Sequence, residues 1–315
     1  MRLRPLAALS AVAAATLILA GCAGSDPEAE PDGTGAPTDT LCEAAAPSGE
    51  ASEGVTVDGE FGETSTATFE LGQSVDAVQR TVVTEGDGDE LADGQWVSYA
   101  LSAFDADSGD RLGDAGYVDG ELLPAQLTSA SSLSQIIGCA PVGSRLSVVL
   151  PGSAEMPAQF YIVDVLDTVP TQAWGAAKDP VEGMPAVSLD GQGAPNVEIP
   201  DAEAPSDVQI SVLKEGDGIE VGAGDTTLLH YHGVDWATGE SFDSSWTRGA
   251  PISIQGNTYV EGFVEALAGQ KVGSQVLVTM PPSKAYGEEG SSDHELAGQT
   301  LVFVIDILAT QHPVG

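Results

Sequence analysis

The chain has 315 residues, with 48 acidic and only 10 basic side chains, and its formal net charge is −38. A surface of that charge repels phosphate backbones, which argues against nucleic acid as a partner. The acidic excess predicts no chemistry of its own, because dispersed carboxylates also keep an exported protein soluble. The length is sufficient for two ordinary domains.

The N-terminus has the features of an export signal. The apolar run from Leu6 to Ala20 follows two arginines, and it is shorter than the roughly 20 apolar residues that a membrane span needs. It ends in Leu19-Ala20-Gly21-Cys22, which resembles a bacterial lipobox. This pattern predicts a lipoprotein signal peptide over residues 1–21, with Cys22 acylated as the first residue of the mature protein. An ordinary signal peptide with a cysteine near its cleavage site is the alternative.

The segment that follows the signal is polar and irregular. Residues 22–41 are rich in Pro, Gly, Asp, Glu, Ser and Thr, a composition that predicts a flexible tether because it cannot form a core. A multiply acylated cysteine would hold the protein firmly in a bilayer. We therefore expect a lipid-anchored protein on the extracytoplasmic face of the cell membrane.

Two further cysteines, Cys42 and Cys139, lie beyond the tether. An even pair in an exported protein predicts one disulfide, which would join the segment after the tether to the first domain. Two free thiols are the alternative. Neither cysteine has a Cys or His at ligand spacing, so we expect no metal site, and nothing in the sequence calls for a cofactor.

An internal repeat organises the rest of the chain. Its two copies are related by a constant offset of 130 residues, which grows to 142 at the last strand, so the first copy lacks twelve residues. The clearest matches are Glu85-Gly86-Asp87-Gly88 with Glu215-Gly216-Asp217-Gly218, and Val142-Gly143-Ser144 with Val272-Gly273-Ser274. The repeat predicts a first domain over residues 42–170 and a second over residues 206–315.

The elements of the first copy are strands and one short helix. Alternation within residues 55–83 predicts extra strands at its start. Residues 171–205, between the copies, are rich in Pro, Gly, Ala and acidic side chains and have poor periodicity. That composition predicts a linker.

The second copy has the same kinds of element. Residues 208–214 and 274–280 alternate, and residues 300–308 are almost continuously apolar, as in a strand that is buried on both faces. Phe263, Ala266 and Leu267 have helical spacing. Antiparallel strands with one short helix predict an α+β fold.

The second copy contains a series of specific motifs in a fixed order. They are Leu228-Leu229-His230-Tyr231-His232-Gly233, Gly239-Glu240-Ser241-Phe242-Asp243-Ser244-Ser245, Arg248-Gly249-Ala250-Pro251, Val260-Glu261-Gly262-Phe263, Pro281-Pro282-Ser283-Lys284-Ala285-Tyr286-Gly287 and Leu301-Val302-Phe303. Their order and spacing resemble the FKBP-type peptidyl-prolyl cis-trans isomerases, and the whole chain resembles an actinobacterial-type lipoprotein with tandem FKBP-like domains. The resemblance implies two such domains, each an antiparallel β-sheet wrapped around a short helix.

The resemblance also implies the catalytic residues. Tyr231, Phe242 and Phe303 would form the walls of an aromatic pocket. Asp243 would place a carboxylate near the twisting amide, and Tyr286 would donate its hydroxyl to the substrate.

Five more residues are implied to bind the substrate. Phe263 would be the floor of the pocket, and Ile252 would lie at its rim. Tyr259 and Val260 belong to the entering loop, where the backbone N–H of Val260 would hold a substrate carbonyl. Arg248 would hold Asp243 together with Tyr231.

Such a pocket suits rotation about the bond that precedes proline. The barrier of roughly 18–20 kcal/mol comes from amide resonance, and a site that favours the twisted amide lowers it. The resemblance thus implies an isomerase that assists the folding of proline-containing exported polypeptides, with a macrolide as a candidate ligand. A non-catalytic client-binding chaperone or interaction module with an FKBP fold is the alternative. A solute-binding lipoprotein is disfavoured, because no large α/β pattern is present.

The first copy has lost most of these site residues. Leu101 stands for Tyr231, Leu112 for Phe242, Gly113 for Asp243 and Val118 for Arg248. The turn glycines and the strand pattern persist. We therefore predict that the first domain is degenerate and folds without isomerase activity.

Overall fold

The computed structural model describes residues 40–154, 156–256 and 258–313. The predicted signal peptide, Cys22 and nearly all of the tether lie outside these residues. Two short helices and a hairpin come first: α1 (Thr40–Ala44), α2 (Glu50–Glu53), β1 (Thr56–Asp58) and β2 (Thr66–Thr68). Among the described residues, no helix has the length and hydropathy needed to cross a membrane.

The first half of the structure then forms an antiparallel sheet. Its strands run in the order β3-β7-β8-β4-β5, with β6 paired to β4. The elements are β3 (Gln79–Thr84), β4 (Trp96–Asp105), β5 (Arg111–Ala115), β6 (Ala125–Gln126), α3 (Ser132–Ile137), β7 (Arg145–Leu150) and β8 (Gln159–Val169).

The second half forms another antiparallel sheet, in the order β14-β13-β17-β16-β12-β9, with β15 paired to β13. Two antiparallel sheets with few helices agree with the predicted α+β class. The elements are β9 (Ala176–Ala177), β10 (Ala186–Leu189), β11 (Pro195–Glu198), β12 (Gln209–Glu215), β13 (Thr226–Asp235), β14 (Ser241–Ser244), β15 (Ile252–Gln255), α4 (Glu261–Leu267), β16 (Gln275–Met280) and β17 (Leu301–Gln311).

The six strands of the first sheet and six of the seven strands of the second share their order, and β9 is an additional edge strand. Their register also matches. Gln79 pairs with Val149 in the first sheet, and Gln209 pairs with Thr279 in the second, each 130 residues further on. The irregularity after Val82 in β3 recurs after Val212 in β12. The sequence repeat is therefore a repeat of backbone pairing.

The range predicted as a linker is packed onto the second half. Its hairpin β10–β11 has the register of β1–β2 shifted by 130 residues: Thr56 pairs with Thr68, and Ala186 pairs with Glu198. Val187 of the hairpin packs against a buried cluster that contains Trp236. The structure thus differs from the expected linker. The hairpin could not be predicted from the sequence, because its two strands have only four residues each and show no clear period.

Each sheet has two covered faces, which we call the front face and the back face. The front face of the second sheet packs on α4, whose Phe263, Ala266 and Leu267 are buried with Val278 and Ile305. Its back face is covered by the β10–β11 hairpin. The first sheet packs in the same way on α3 and on the β1–β2 hairpin.

Cys42 and Cys139 are joined by a disulfide, with their Cα atoms 4.8 Å apart and a sequence separation of 97. The bond fastens α1 to the turn after α3. Leu41, which neighbours Cys42, is fully buried in the front core of the first half. The disulfide and this side chain together attach the N-terminal segment to the first sheet.

A buried ion pair fastens the β1–β2 hairpin to the same sheet. Arg145 donates from Nε to Asp164 Oδ1 at 2.6 Å and from Nη2 to Oδ2 at 2.7 Å. Arg145 also donates to the carbonyls of Gly59 and Glu60, each at 2.7 Å. The side chains of Arg145 and Asp164 are 6% and 0% exposed, so the pair depends on this complete set of hydrogen bonds.

We predict that Arg145→Met lowers the free energy of unfolding by about 3–5 kcal/mol, because it leaves the Asp164 charge buried and unpaired. The double variant Arg145→Met with Asp164→Leu should be less destabilised, since no charge remains. Urea unfolding of residues 39–315, which form one compact unit, measures both changes.

The matched control is Lys178→Gln, which breaks an ion pair with Glu215 whose side chains are 49% and 50% exposed. An exposed pair of this kind contributes less than about 1 kcal/mol. A double variant as unstable as Arg145→Met alone would contradict the explanation by an unpaired charge.

Candidate active site

Four aromatic side chains meet on the front face of the second sheet. Tyr231 comes from β13, Phe242 from β14, Phe303 from β17 and Phe263 from α4. The rings of Phe263 and Phe303 lie 5.3 Å apart and those of Phe242 and Phe303 lie 5.4 Å apart, both edge to face. This geometry is favourable for aromatic pairs, and we call this group of four rings the aromatic pocket.

The absence of a side chain at Gly233 lets the rings of Phe242 and Phe303 pack directly on strand β13. Gly233 pairs with Phe303 across β13 and β17. A Cβ atom at Gly233 would lie 2.5 Å from Cζ of Phe242 and 2.9 Å from Cε1 of Phe303. Any side chain at this position would therefore displace a wall of the pocket.

Asp243 lies beside the pocket and is held on both carboxylate oxygens. The hydroxyl of Tyr231 donates to Oδ2, and Nη1 of Arg248 donates to Oδ1. Arg248 closes the triangle, because its Nη2 donates to the hydroxyl of Tyr231 at 2.7 Å. The guanidinium carbon also lies 5.3 Å from the centre of the Tyr231 ring.

These contacts fix the protonation of the cluster. Burial, together with the hydrogen bond to Asp243, raises the pKa of Tyr231 to about 12. Burial would raise the pKa of Asp243, but the hydrogen bonds from Tyr231 and Arg248 outweigh it and hold that pKa below its usual value. At neutral pH the pocket is therefore bordered by a neutral phenol and a charged carboxylate.

The open side of the pocket carries the remaining predicted residues. Tyr259 is 42% exposed, and its ring lies 5.6 Å from that of Phe263. Val260 caps α4 with its carbonyl, while its N–H has no acceptor among the described residues. Ile252 and Tyr286 are half-buried against the same core. The structure thus brings together all ten residues that the family resemblance implied.

One supporting group was missed by sequence reasoning. The hydroxyl of Ser245 accepts a hydrogen bond from the backbone N–H of Tyr231 at 2.8 Å and forms another with Nδ1 of His230 at 2.7 Å. Burial lowers the pKa of His230 to about 4, so the imidazole is neutral at neutral pH, and it stacks on Trp246. A single serine in a turn gives no periodic signal that could have identified it.

Comparison with known proteins identifies the family. The sequence profile of FKBP-type peptidyl-prolyl cis-trans isomerases matches residues 218–308. A probable FK506-binding protein from Corynebacterium glutamicum is 45% identical over 115 residues, which cover 36% of this chain and 97% of that protein. The FK506-binding protein of Streptomyces anulatus is 40% identical over 118 residues, which cover 36% of this chain and 95% of that protein. The chain therefore belongs to the FKBP-type peptidyl-prolyl cis-trans isomerase family, as its motifs predicted.

A solved structure also matches. FkpA from Escherichia coli is 27% identical and aligns with a TM-score of 0.31, over 42% of this chain and 53% of that one. All the residues matched by the family profile lie in the second half of the structure.

We predict that Asp243→Asn lowers the pKa of Tyr231 from about 12. The amide carries no negative charge to oppose ionisation of the phenol, whereas the burial that also raises this pKa is unchanged. NMR titration of ¹³C-labelled tyrosine, with the Tyr231 signal assigned by Tyr231→Phe, measures the change. Glu240→Gln, at an exposed carboxylate before β14, is the control and should leave the pKa in place. An unchanged value in Asp243→Asn would contradict the contact.

Proposed function

We propose that the aromatic pocket of the second half catalyses cis–trans isomerisation of peptide bonds that precede proline. The observation that carries the proposal is the aromatic pocket itself, which is bordered by the hydrogen-bonded triangle of Asp243, Tyr231 and Arg248. Uncatalysed isomerisation takes tens to hundreds of seconds. The rotation breaks no covalent bond, so the pocket needs only to bind the twisted amide better than the planar one.

The apolar walls act by excluding water. In water, hydrogen bonds to the carbonyl stabilise the planar, charge-separated form of the amide. A proline ring seated on Phe263, between Tyr231, Phe242 and Phe303, removes the imide from those hydrogen bonds. The twisted transition state then loses less hydrogen-bond stabilisation than the planar ground state. Each ~1.4 kcal/mol of this difference accelerates rotation about tenfold.

Polar groups at the rim would orient the peptide. The unbonded N–H of Val260 is available to a substrate carbonyl, and the hydroxyl of Tyr286 is a second donor. Asp243 stays charged because its hydrogen bonds hold its pKa low. Its fixed carboxylate therefore presents a constant field to the twisting amide.

We extend the proposal to the first half, which we take as a second FKBP-like domain without catalytic function. Its sheet has the same strand order and register. The positions that match Phe242 and Asp243 hold Leu112 and Gly113, so the walls and the carboxylate are missing. The matching hairpins support domain boundaries near residue 170, so that each domain carries its own hairpin.

The proposed location of the protein rests on its N-terminal sequence alone. The basic start, the short apolar run and the motif ending in Cys22 support export and lipid anchoring at the cell envelope. Proline-containing exported polypeptides are then the substrates. The FK506-binding proteins among its relatives support a macrolide as a competing ligand in the same pocket.

The test is isomerisation of a proline-containing tetrapeptide by residues 39–315. Tyr286→Phe should lower kcat/KM by about threefold to tenfold, the effect of one hydrogen bond of roughly 0.5–1.5 kcal/mol. Asp243→Ala should also lower it, and FK506 should inhibit the wild-type protein. Phe242→Ala should lower activity and stability together, with a loss of stability below the roughly 3–5 kcal/mol of a fully buried Phe, because Phe242 is only partly buried.

The matched control is Leu112→Ala, at the position in the first half that corresponds to Phe242. It should leave the rate unchanged, because the first half has no complete pocket. A wild-type protein without activity would reject the proposed function, and a rate that depends on Leu112 would reject the division between the halves.

Anchoring has a separate test in the producing cell. We predict that Cys22→Ser moves the full-length protein from the membrane fraction to the soluble fraction, because the acyl chains attach to that sulfur. Immunoblotting of the fractions measures the distribution, with Cys42→Ser as the control for loss of a cysteine elsewhere. Membrane retention of Cys22→Ser would show that another segment anchors the chain.

A further inference from the structure

The loop after Tyr286 lacks the usual means of stiffening a backbone. Residues 287–298 contain no proline. Three glycines, Gly287, Gly290 and Gly298, adopt positive φ angles of 94°, 76° and 83°. Glycine has more conformational freedom to lose than any other residue. Backbone hydrogen bonds, such as that from Gly298 N–H to the carbonyl of Gly287 at 2.8 Å, close the loop, and side-chain contacts add to them.

One such contact falls directly on a pocket residue. The imidazole of His294 stacks on the ring of Tyr286, with the ring centroids 3.6 Å apart and the planes within 2° of parallel. The stack covers one face of a tyrosine whose hydroxyl has no hydrogen-bond partner among the described residues. His294 therefore restrains the ring while leaving the hydroxyl available to a substrate.

His294 is itself held on the loop side. Its Nδ1 accepts from the backbone N–H of Leu296 at 3.2 Å, and Leu296 packs against the front core. The hydroxyl of Ser292 donates to the carbonyl of Tyr286 at 2.8 Å. These contacts connect the loop to the tyrosine at both the ring and the backbone.

We propose that His294 is a positioning residue of the isomerase site, which holds the Tyr286 ring in the orientation that presents its hydroxyl to the bound peptide. The proposal rests on the function proposed above. A tyrosine ring turns about two side-chain torsions, and an aliphatic or missing neighbour would leave it free to turn away from the pocket. Stacking supplies a flat partner that fixes the plane of the ring.

A role in positioning differs from a role in folding, because His294 is exposed. Removing an exposed side chain that is not part of a core changes stability little. The orientation of the hydroxyl contributes only when a peptide is bound. The effect of a substitution should therefore appear in kcat/KM and not in the urea midpoint.

The experiment compares three substitutions at one position in residues 39–315. His294→Ala should lower kcat/KM for a proline tetrapeptide by about threefold to tenfold, in line with the strength of an aromatic pair. His294→Phe keeps a flat ring and should stay within about twofold of the wild type. His294→Leu fills similar space without a flat face and should behave like His294→Ala. Glu295→Ala, at the exposed neighbour, controls for general disturbance of the loop.

A double-substitution cycle tests whether the effect passes through Tyr286. In a Tyr286→Leu background, His294→Ala should have little further effect, because the ring that it positions is gone. Equal losses in the two backgrounds would overturn the proposal, as would wild-type activity in His294→Ala or failure of His294→Phe to restore the rate. An inactive wild-type protein would instead reject the proposed function, so the two failures are distinguishable.

Discussion

The antiparallel pairing of β13 with β17 is the constraint on which the site depends. It places Tyr231 opposite Ile305 and Gly233 opposite Phe303, so that wall residues from two distant parts of the sequence share one face. A slip of β17 by one residue would turn Phe303 to the face opposite Tyr231. Both strands are buried along most of their length, and the cost of exposing such apolar strands keeps the register fixed. The positions of Tyr231 and Phe303 are therefore fixed by the core of the sheet.

Sequence reasoning was strongest where one period or one family motif covers a whole element. The long strands, the helix that carries Phe263 and all the pocket residues fall in that class. It was weakest for the β10–β11 hairpin, whose strands are only four residues each and lie among turn-forming residues. It also did not identify the contacts of Ser245 or of Arg145, because those contacts join positions with no local pattern. Such contacts depend on the tertiary arrangement, which periodicity does not encode.

Equivalent positions in the two sheets hold different side chains. Asp164 and Asp306 occupy the same place in the register, opposite Arg145 and Gln275. In the second half Asp306 accepts from the Gln275 side chain and from the backbone N–H of Ala173, and burial raises its pKa. In the first half an arginine neutralises the carboxylate and also binds the preceding hairpin. The first half thus has a buried ion pair that contacts its hairpin, whereas the ion pair of the second half, Arg248 with Asp243, borders the pocket.

The disulfide between Cys42 and Cys139 sets the path of mechanical load through the protein. A pull on the N-terminal end of the described chain would first meet α1, a single short turn that frays easily when isolated. Because Cys42 is cross-linked to Cys139, tension leaves α1 by way of the sulfur atoms and enters the chain between α3 and β7. Strand β7 lies inside the first sheet, paired on both sides, where many hydrogen bonds share the load. Peeling from the N-terminus would therefore stop at this cross-link until it is reduced.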